Sequence, residues 1–177
     1  MVFPRCFHCI YFSAAGWPWP VPLVRARYRS RPKDDGMSPL TVLLDTSFLL
    51  TMLEQRRDID EELRDLIKGP VRVATLDMVE RELQRLGRNR SSKTGGLANA
   101  ALELLKSRKY SILPSGIETS DTDAAILSFS LAKNEQLAVA TVDRKLRAAL
   151  SRLGLQVIYP KRQRGLLMSK SVLPSST

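Results

Sequence analysis

The chain has 177 residues, 44% of them apolar and 26% charged, enough for one domain with a real core, and its formal net charge of +10 favours polyanionic partners. Its only histidine, His8, and both cysteines, Cys6 and Cys9, fall in the first nine residues. Residues 37–177 therefore have no material for a thiol nucleophile, a His-assisted nucleophile or a His/Cys zinc centre.

Residues 1–36 differ in composition from the rest. They hold both tryptophans, Trp17 and Trp19, and a proline-rich run from Pro18 to Pro22. The Cys6-Phe7-His8-Cys9 cluster could be read as half of a zinc site, but a closed centre needs four ligands and no second pair of Cys or His exists. The apolar stretch Cys6 to Ala15 has a weak signal-peptide look but is too short to span a bilayer. The preferred reading is a disordered or dispensable leader over 1–36, with Met37 opening the domain of a cytoplasmic protein with no membrane contact. The leader carries 6 bases and 2 acids, so the remainder keeps 28 minus 6, or 22, bases against 18 minus 2, or 16, acids.

Thr41 to Leu44 is a short apolar run ending at Asp45, as expected of a strand buried on both faces. Helical spacing follows over Thr46 to Leu53 and through Ile59, Leu63, Leu66 and Ile67, until Gly69 and Pro70 stop it. Val71 to Thr75 reads as strand two. Asp77 and Glu80 then predict an N-cap and capping box for a helix with Val79, Leu83 and Leu86 on its apolar face. Leu97, Ala101, Leu104 and Leu105 mark the next helix, and Tyr110 to Leu113 a third strand. Ser120 and Asp121 are set to cap the helix of Ile126, Leu127 and Leu131. Leu137 to Thr141 is strand four, Asp143 begins a helix through Leu146 and Leu150, and Gln156 to Tyr159 is strand five. Alternating strands and helices predict an α/β fold, a three-layer α/β/α sandwich around a five-stranded parallel sheet, over residues 37–165. Residues 166–177 are expected to be a flexible tail.

In such a sheet, sites gather outside the carboxyl ends of the strands, and Asp45, Glu82, Asp121, Asp123 and Asp143 fall near that edge. Asp77, Asp121 and Asp143 stand where helix caps belong, and a cap contributes about 1 kcal/mol of ordinary helix stability. Asp45 lacks a capping alternative. Glu82 lies near a face that should pack on the sheet, where a charge needs a partner or a metal. Taken jointly, the acids favour a metal pocket in a basic protein, the combination a metal-dependent nuclease requires.

Four segments in this order resemble the PIN-domain nucleases: Leu-Leu-Asp-Thr-Ser (Leu43 to Ser47), Glu-Arg-Glu-Leu-Gln-Arg-Leu (Glu80 to Leu86), Ser-Asp-Thr-Asp-Ala-Ala-Ile-Leu (Ser120 to Leu127) and Ala-Thr-Val-Asp-Arg-Lys-Leu (Ala140 to Leu146). Lys93 to Leu105 and the ending from Val157 to Arg164 are more similar to archaeal relatives of ribosome-biogenesis PIN endonucleases than to VapC-type toxins. The resemblance implies that Asp45, Glu82, Asp123 and Asp143 are catalytic and hold Mg²⁺ or Mn²⁺. It implies that Thr46, Ser47 and Thr141 orient the acids or the water. Many relatives carry paired acids at the third motif, whereas here Ala124 follows Asp123 and Asp121 precedes it by two, leaving Asp121 open as ligand, supporting residue or cap. The implied activity is hydrolysis of RNA, an rRNA precursor among the candidates, to a 5′-phosphate and a 3′-hydroxyl. An antitoxin and a second copy of the chain are the protein partners it allows.

After Asp143 no acid remains in 34 residues, while eight bases do, including Arg144, Lys145, Lys161, Arg162 and Arg164. Arg81, Arg85, Arg88, Arg90 and Lys93 form a second basic group beside Glu82. From these, Arg88, Arg90, Lys93, Arg144, Lys145, Lys161, Arg162 and Arg164 are the expected RNA-binding residues. Three other readings are a VapC-type toxin ribonuclease of a toxin-antitoxin pair, a non-catalytic RNA-binding assembly factor, against which all four family acids are present, and a phosphoacceptor receiver domain. The last needs an Asp ending strand three, where Leu113 is followed by Pro114.

Overall fold

The structure, a computed structural model, describes residues 38–117, 119, 121–133, 136–161 and 163–169. The leader with its Cys6-His8-Cys9 cluster, Arg162 and the end of the tail lie outside the described residues.

Six strands form one sheet: β1 (Leu40–Leu44), β2 (Val71–Leu76), β3 (Ser111–Leu113), β4 (Leu137–Ala140), β5 (Gln156–Pro160) and β6 (Leu166–Met168). Their spatial order is β3-β2-β1-β4-β5-β6, and the first five in chain order run parallel. The interior strands β1 (Leu-Thr-Val-Leu-Leu) and β4 (Leu-Ala-Val-Ala) are almost wholly buried, so both faces demand apolar residues and alternation is lost. The connections are α1 (Thr46–Glu54), α2 (Ile59–Leu66), α3 (Asp77–Gly87), α4 (Lys93–Ser107), α5 (Thr122–Ala132) and α6 (Arg144–Arg152). Helix α4 packs on α1 and α3, and α5 packs on α6 while also touching α3. This is the grouping that right-handed crossovers give when the chain first winds one way from β1 and then the other, so the three-layer α/β/α arrangement is present. Among the described residues no helix is long and apolar enough to cross a membrane.

Three local features differ from the sequence-based expectation. The sheet has a sixth strand: Leu166–Met168, expected in the tail, pairs antiparallel with Ile158–Pro160, and Leu166 is buried. Gly165, at φ 109°, provides the left-handed backbone for that reversal. Asp77 is no N-cap, since the cap position is Leu76 and Asp77 is the first helical residue of α3. Its carboxylate accepts instead from the Ser115 N–H at 2.9 Å and from Arg81, so the expected capping box does not form. Helix stops after Glu54 and restarts at Ile59, with Arg56 in the left-handed region at φ 53°. Gly87 lets α3 approach α4 closely, because a Cβ there would fall 2.5 Å from Asn99 Oδ1.

Candidate active site

The sheet order reverses between β1 and β4, and their carboxyl ends flank the crevice where ligands of open α/β sheets bind. Asp45 leaves β1 at this point and is only 4% exposed. It occupies the N-cap position of α1, yet its side chain makes no capping bond. Its Oδ2 accepts from Ser47 Oγ, and from Thr141 Oγ1 at 2.8 Å. Thr141, fully buried past the end of β4, also accepts from the Asp143 N–H at 3.0 Å. Ser47 Oγ accepts from the Val142 N–H at 3.3 Å. Two hydroxyls thus sew the end of β1 to the end of β4.

Glu82 reaches the same place from α3, and its Oε2 accepts from Thr46 Oγ1 at 2.6 Å. Asp121 and Asp143 both cap helices. Asp121 Oδ1 accepts from the N–H groups of Asp123 and Ala124 at 3.0 and 3.3 Å, at the start of α5. Asp143 Oδ1 accepts from those of Lys145 and Leu146 at 2.6 and 3.1 Å, at the start of α6. The cap roles read from the sequence for these two residues are therefore present, and both belong to the cleft as well.

An open cleft of about 440 Å³ is lined by Asp45, Glu82, Asp121, Asp123 and Asp143 with Thr46 and Ser47. Thr141 sits beneath it through Asp45. All four acids singled out in the sequence are brought to one place. Leu50, Leu86 and Thr122 complete the lining without having been singled out. The available signal was helical spacing, since Leu50 and Leu86 each lie one turn beyond Thr46 and Glu82.

The acids strain against one another. Burial holds the Asp45 carboxyl above its ordinary range despite the opposing bonds from Ser47 and Thr141, and the charge of Glu82 adds to the rise. Asp123 is pushed up to about 6, first by burial and then by the charges of Asp45, Asp143, Asp121 and Glu82. A cation among them would relieve that repulsion. The donors are carboxylate and hydroxyl oxygens, the set that suits Mg²⁺ or Mn²⁺ rather than a softer ion. Among the described residues no three acidic side chains form a ready coordination cluster.

Of the expected RNA-binding bases, Arg88, Arg90, Arg144, Lys145, Lys161 and Arg164 are exposed. Lys93 is paired with Glu54 at 2.5 Å.

A family model described as "PIN like domain" matches residues 42–164. No curated protein is significantly similar to the chain. Among solved structures, the PIN domain endonuclease Utp24 is 22% identical over 75% of this chain and 92% of its own, with a TM-score of 0.63. VapBC2 from Rickettsia felis, bound to a DNA fragment from its promoter, is 18% identical over 69% of this chain and 100% of its own, with a TM-score of 0.50. At these identities the likeness is one of fold.

Proposed function

Because the chain belongs to the PIN-like domain family, which spans residues 42–164 of its 177, we propose that it is a nuclease of the Mg²⁺- or Mn²⁺-dependent endoribonuclease kind, with the acidic cleft as its active site. The observation that carries this reading is the convergence of Asp45, Glu82, Asp123 and Asp143 on one cleft from β1, α3, α5 and the start of α6. Structural duties do not require four acids, two of them with proton affinity raised by burial and by the others' charge, to meet at a switch point.

Asp45, Glu82, Asp123 and Asp143 would hold the cation. When bound, it would neutralise phosphodiester charge and acidify a water near it. The chain's own groups prepare for this. Thr46 fixes Glu82, while Ser47 and Thr141 fix Asp45 and keep it ionised at lower pH than its burial alone would permit. The capping bonds of Asp143 fall on Oδ1 and leave Oδ2 for the cation.

Arg144 and Lys145 support a polyanionic substrate. They occupy the first turn of α6, where positive charge opposes the helix dipole by roughly 0.3–1 kcal/mol each. Neither makes an ion pair among the described residues. An RNA precursor, rRNA included, is the proposed substrate, on the resemblance of Lys93 to Leu105 and Val157 to Arg164 to biogenesis-type relatives. A toxin ribonuclease held by an antitoxin is the second reading, supported by the fold shared with VapBC2. It uses the same cleft and differs in needing a protein inhibitor.

The test is incubation of the purified full chain with end-labelled RNA in Mn²⁺, Mg²⁺ or EDTA. Cleavage is expected with either cation, and none in EDTA or with Asp45→Asn. Equal cleavage by wild type and Asp45→Asn would overturn the reading.

A further inference from the structure

The exposed bases near the sheet's carboxyl edge occupy two electrostatic environments. Arg85 on α3 and Arg88 at its C-cap, like Arg144 and Lys145 on α6, are exposed and in no ion pair among the described residues. Arg85 lies one turn from Glu82 and beside Leu86, and Arg144 directly follows Asp143, all three of these neighbours lining the cleft. Lys161 and Arg164, in the turn between β5 and β6, are placed otherwise. They line a second hollow, of about 430 Å³, together with Asp58, Glu61, Glu62 and Asp65.

The charge balance of that hollow decides its role. Arg57 neutralises Glu62 through a buried bidentate ion pair and Arg108 pairs with Asp58 at 2.7 Å, which leaves Glu61 and Asp65 to balance the two cations. The same guanidinium donates to the Gly165 carbonyl at 2.7 Å and ties the turn to the segment between α1 and α2. At physiological salt, charges act over about 8 Å, so a phosphate beside this turn would meet the α2 carboxylates as well as the bases. A phosphate beside α3 or the start of α6 would meet bases in no ion pair among the described residues, and the acids nearest them, Glu82 and Asp143, are those the nuclease reading gives to the cation.

We propose that the RNA strand crosses the cleft from α3 to α6, gripped by Arg85 and Arg88 on one side and by Arg144 and Lys145 on the other, and that the turn between β5 and β6 lies off its path. This rests on the nuclease reading above. It also departs from the expectation, drawn from charge counting alone, that Lys161 and Arg164 bind RNA.

The experiment is binding of a fluorescent single-stranded RNA by the full chain in Ca²⁺, titrated at several salt concentrations. Three double variants are compared with wild type: Arg85→Ala/Arg88→Ala, Arg144→Ala/Lys145→Ala and Lys161→Ala/Arg164→Ala. Each phosphate contact contributes roughly 0.7 to the salt slope on single strands, so each of the first two pairs should flatten it by about 1.4. The third should leave it unchanged. A slope flattened by the third pair and kept by either of the others would overturn the path while leaving the nuclease reading intact. Wild-type protein that fails to bind RNA would overturn both.

Discussion

Thr141 donates to Asp45 over 2.8 Å across 96 residues of sequence, and both residues are buried. The bond joins the ends of the two strands between which the sheet order reverses, and it bears on the ionisation of the most enclosed acid in the cleft. Thr141→Val keeps the shape and removes the donor. The variant should lose about 1.5–3 kcal/mol, the range for a hydrogen bond to a charged group, in a denaturant titration. The Asp45 carboxyl, already raised, should rise further. Mn²⁺ binding should therefore need a higher pH in Thr141→Val and return to normal in Thr141→Ser. An unchanged pH midpoint in the valine variant would show that the hydroxyl does not tune Asp45.

Asp123 gives stability a pH dependence whose direction is fixed by its shift. Its ordinary value of 3.8 applies in the unfolded chain, and the fold pushes it up to about 6. Below the unfolded value both states hold the proton and no penalty arises. As pH rises through about 6 the folded state must carry the charge among its neighbours, so the metal-free protein loses stability from this group. A divalent cation removes that loss only where the acid is ionised. Mn²⁺ should thus raise the melting temperature more near pH 8 than near pH 5, and Asp123→Asn should raise that of the metal-free protein near pH 8. Cation increments equal at the two pH values would contradict the repulsion described here.

The parts of this site that the sequence discloses are those with a local signature. Asp45 ends an apolar run, where a charge has few structural excuses, and Asp143 follows one at a separation of two residues, where a helix cap is the competing explanation. What stays hidden depends on partners distant along the chain. Nothing near Ser47 announces that its hydroxyl will accept from the Val142 N–H, 95 residues away. The misplacement of Asp77 has a different cause, since sequence cannot separate the cap position from the residue after it until the Ser115 N–H is seen claiming the carboxylate. Strand β6 has three residues and follows a basic turn, too short a run for periodicity to register.

The Arg57–Glu62 pair has side chains 7% and 9% exposed and anchors Gly165 as well. Arg57→Met would strand a buried carboxylate, and the expected loss in urea denaturation is about 3–5 kcal/mol. Removing both charges, as Arg57→Met/Glu62→Leu, should recover most of it. A double variant as unstable as the single one would place the loss in the Gly165 bond rather than in the unpaired Glu62.

Asp143 allows the structural and chemical roles of one acid to be separated. Its Oδ1 caps α6 by accepting from Lys145 and Leu146, a task that Asn performs about as well as Asp. Asp143→Asn should accordingly melt within a few tenths of a kcal/mol of wild type in metal-free buffer. Its cleavage of RNA should nevertheless fall on the order of 100-fold or more, because several kcal/mol of cation-borne charge stabilisation go with the carboxylate. Asp143→Ala should show the same loss of cleavage and, in addition, about 1 kcal/mol of lost stability from the missing cap. Thermal melts and initial rates on end-labelled RNA with Mn²⁺ give both quantities from the same preparations. If Asp143→Asn cleaves like wild type while Asp143→Ala is merely less stable, the residue is a helix cap, and the cation must be held by Asp45, Glu82 and Asp123 alone.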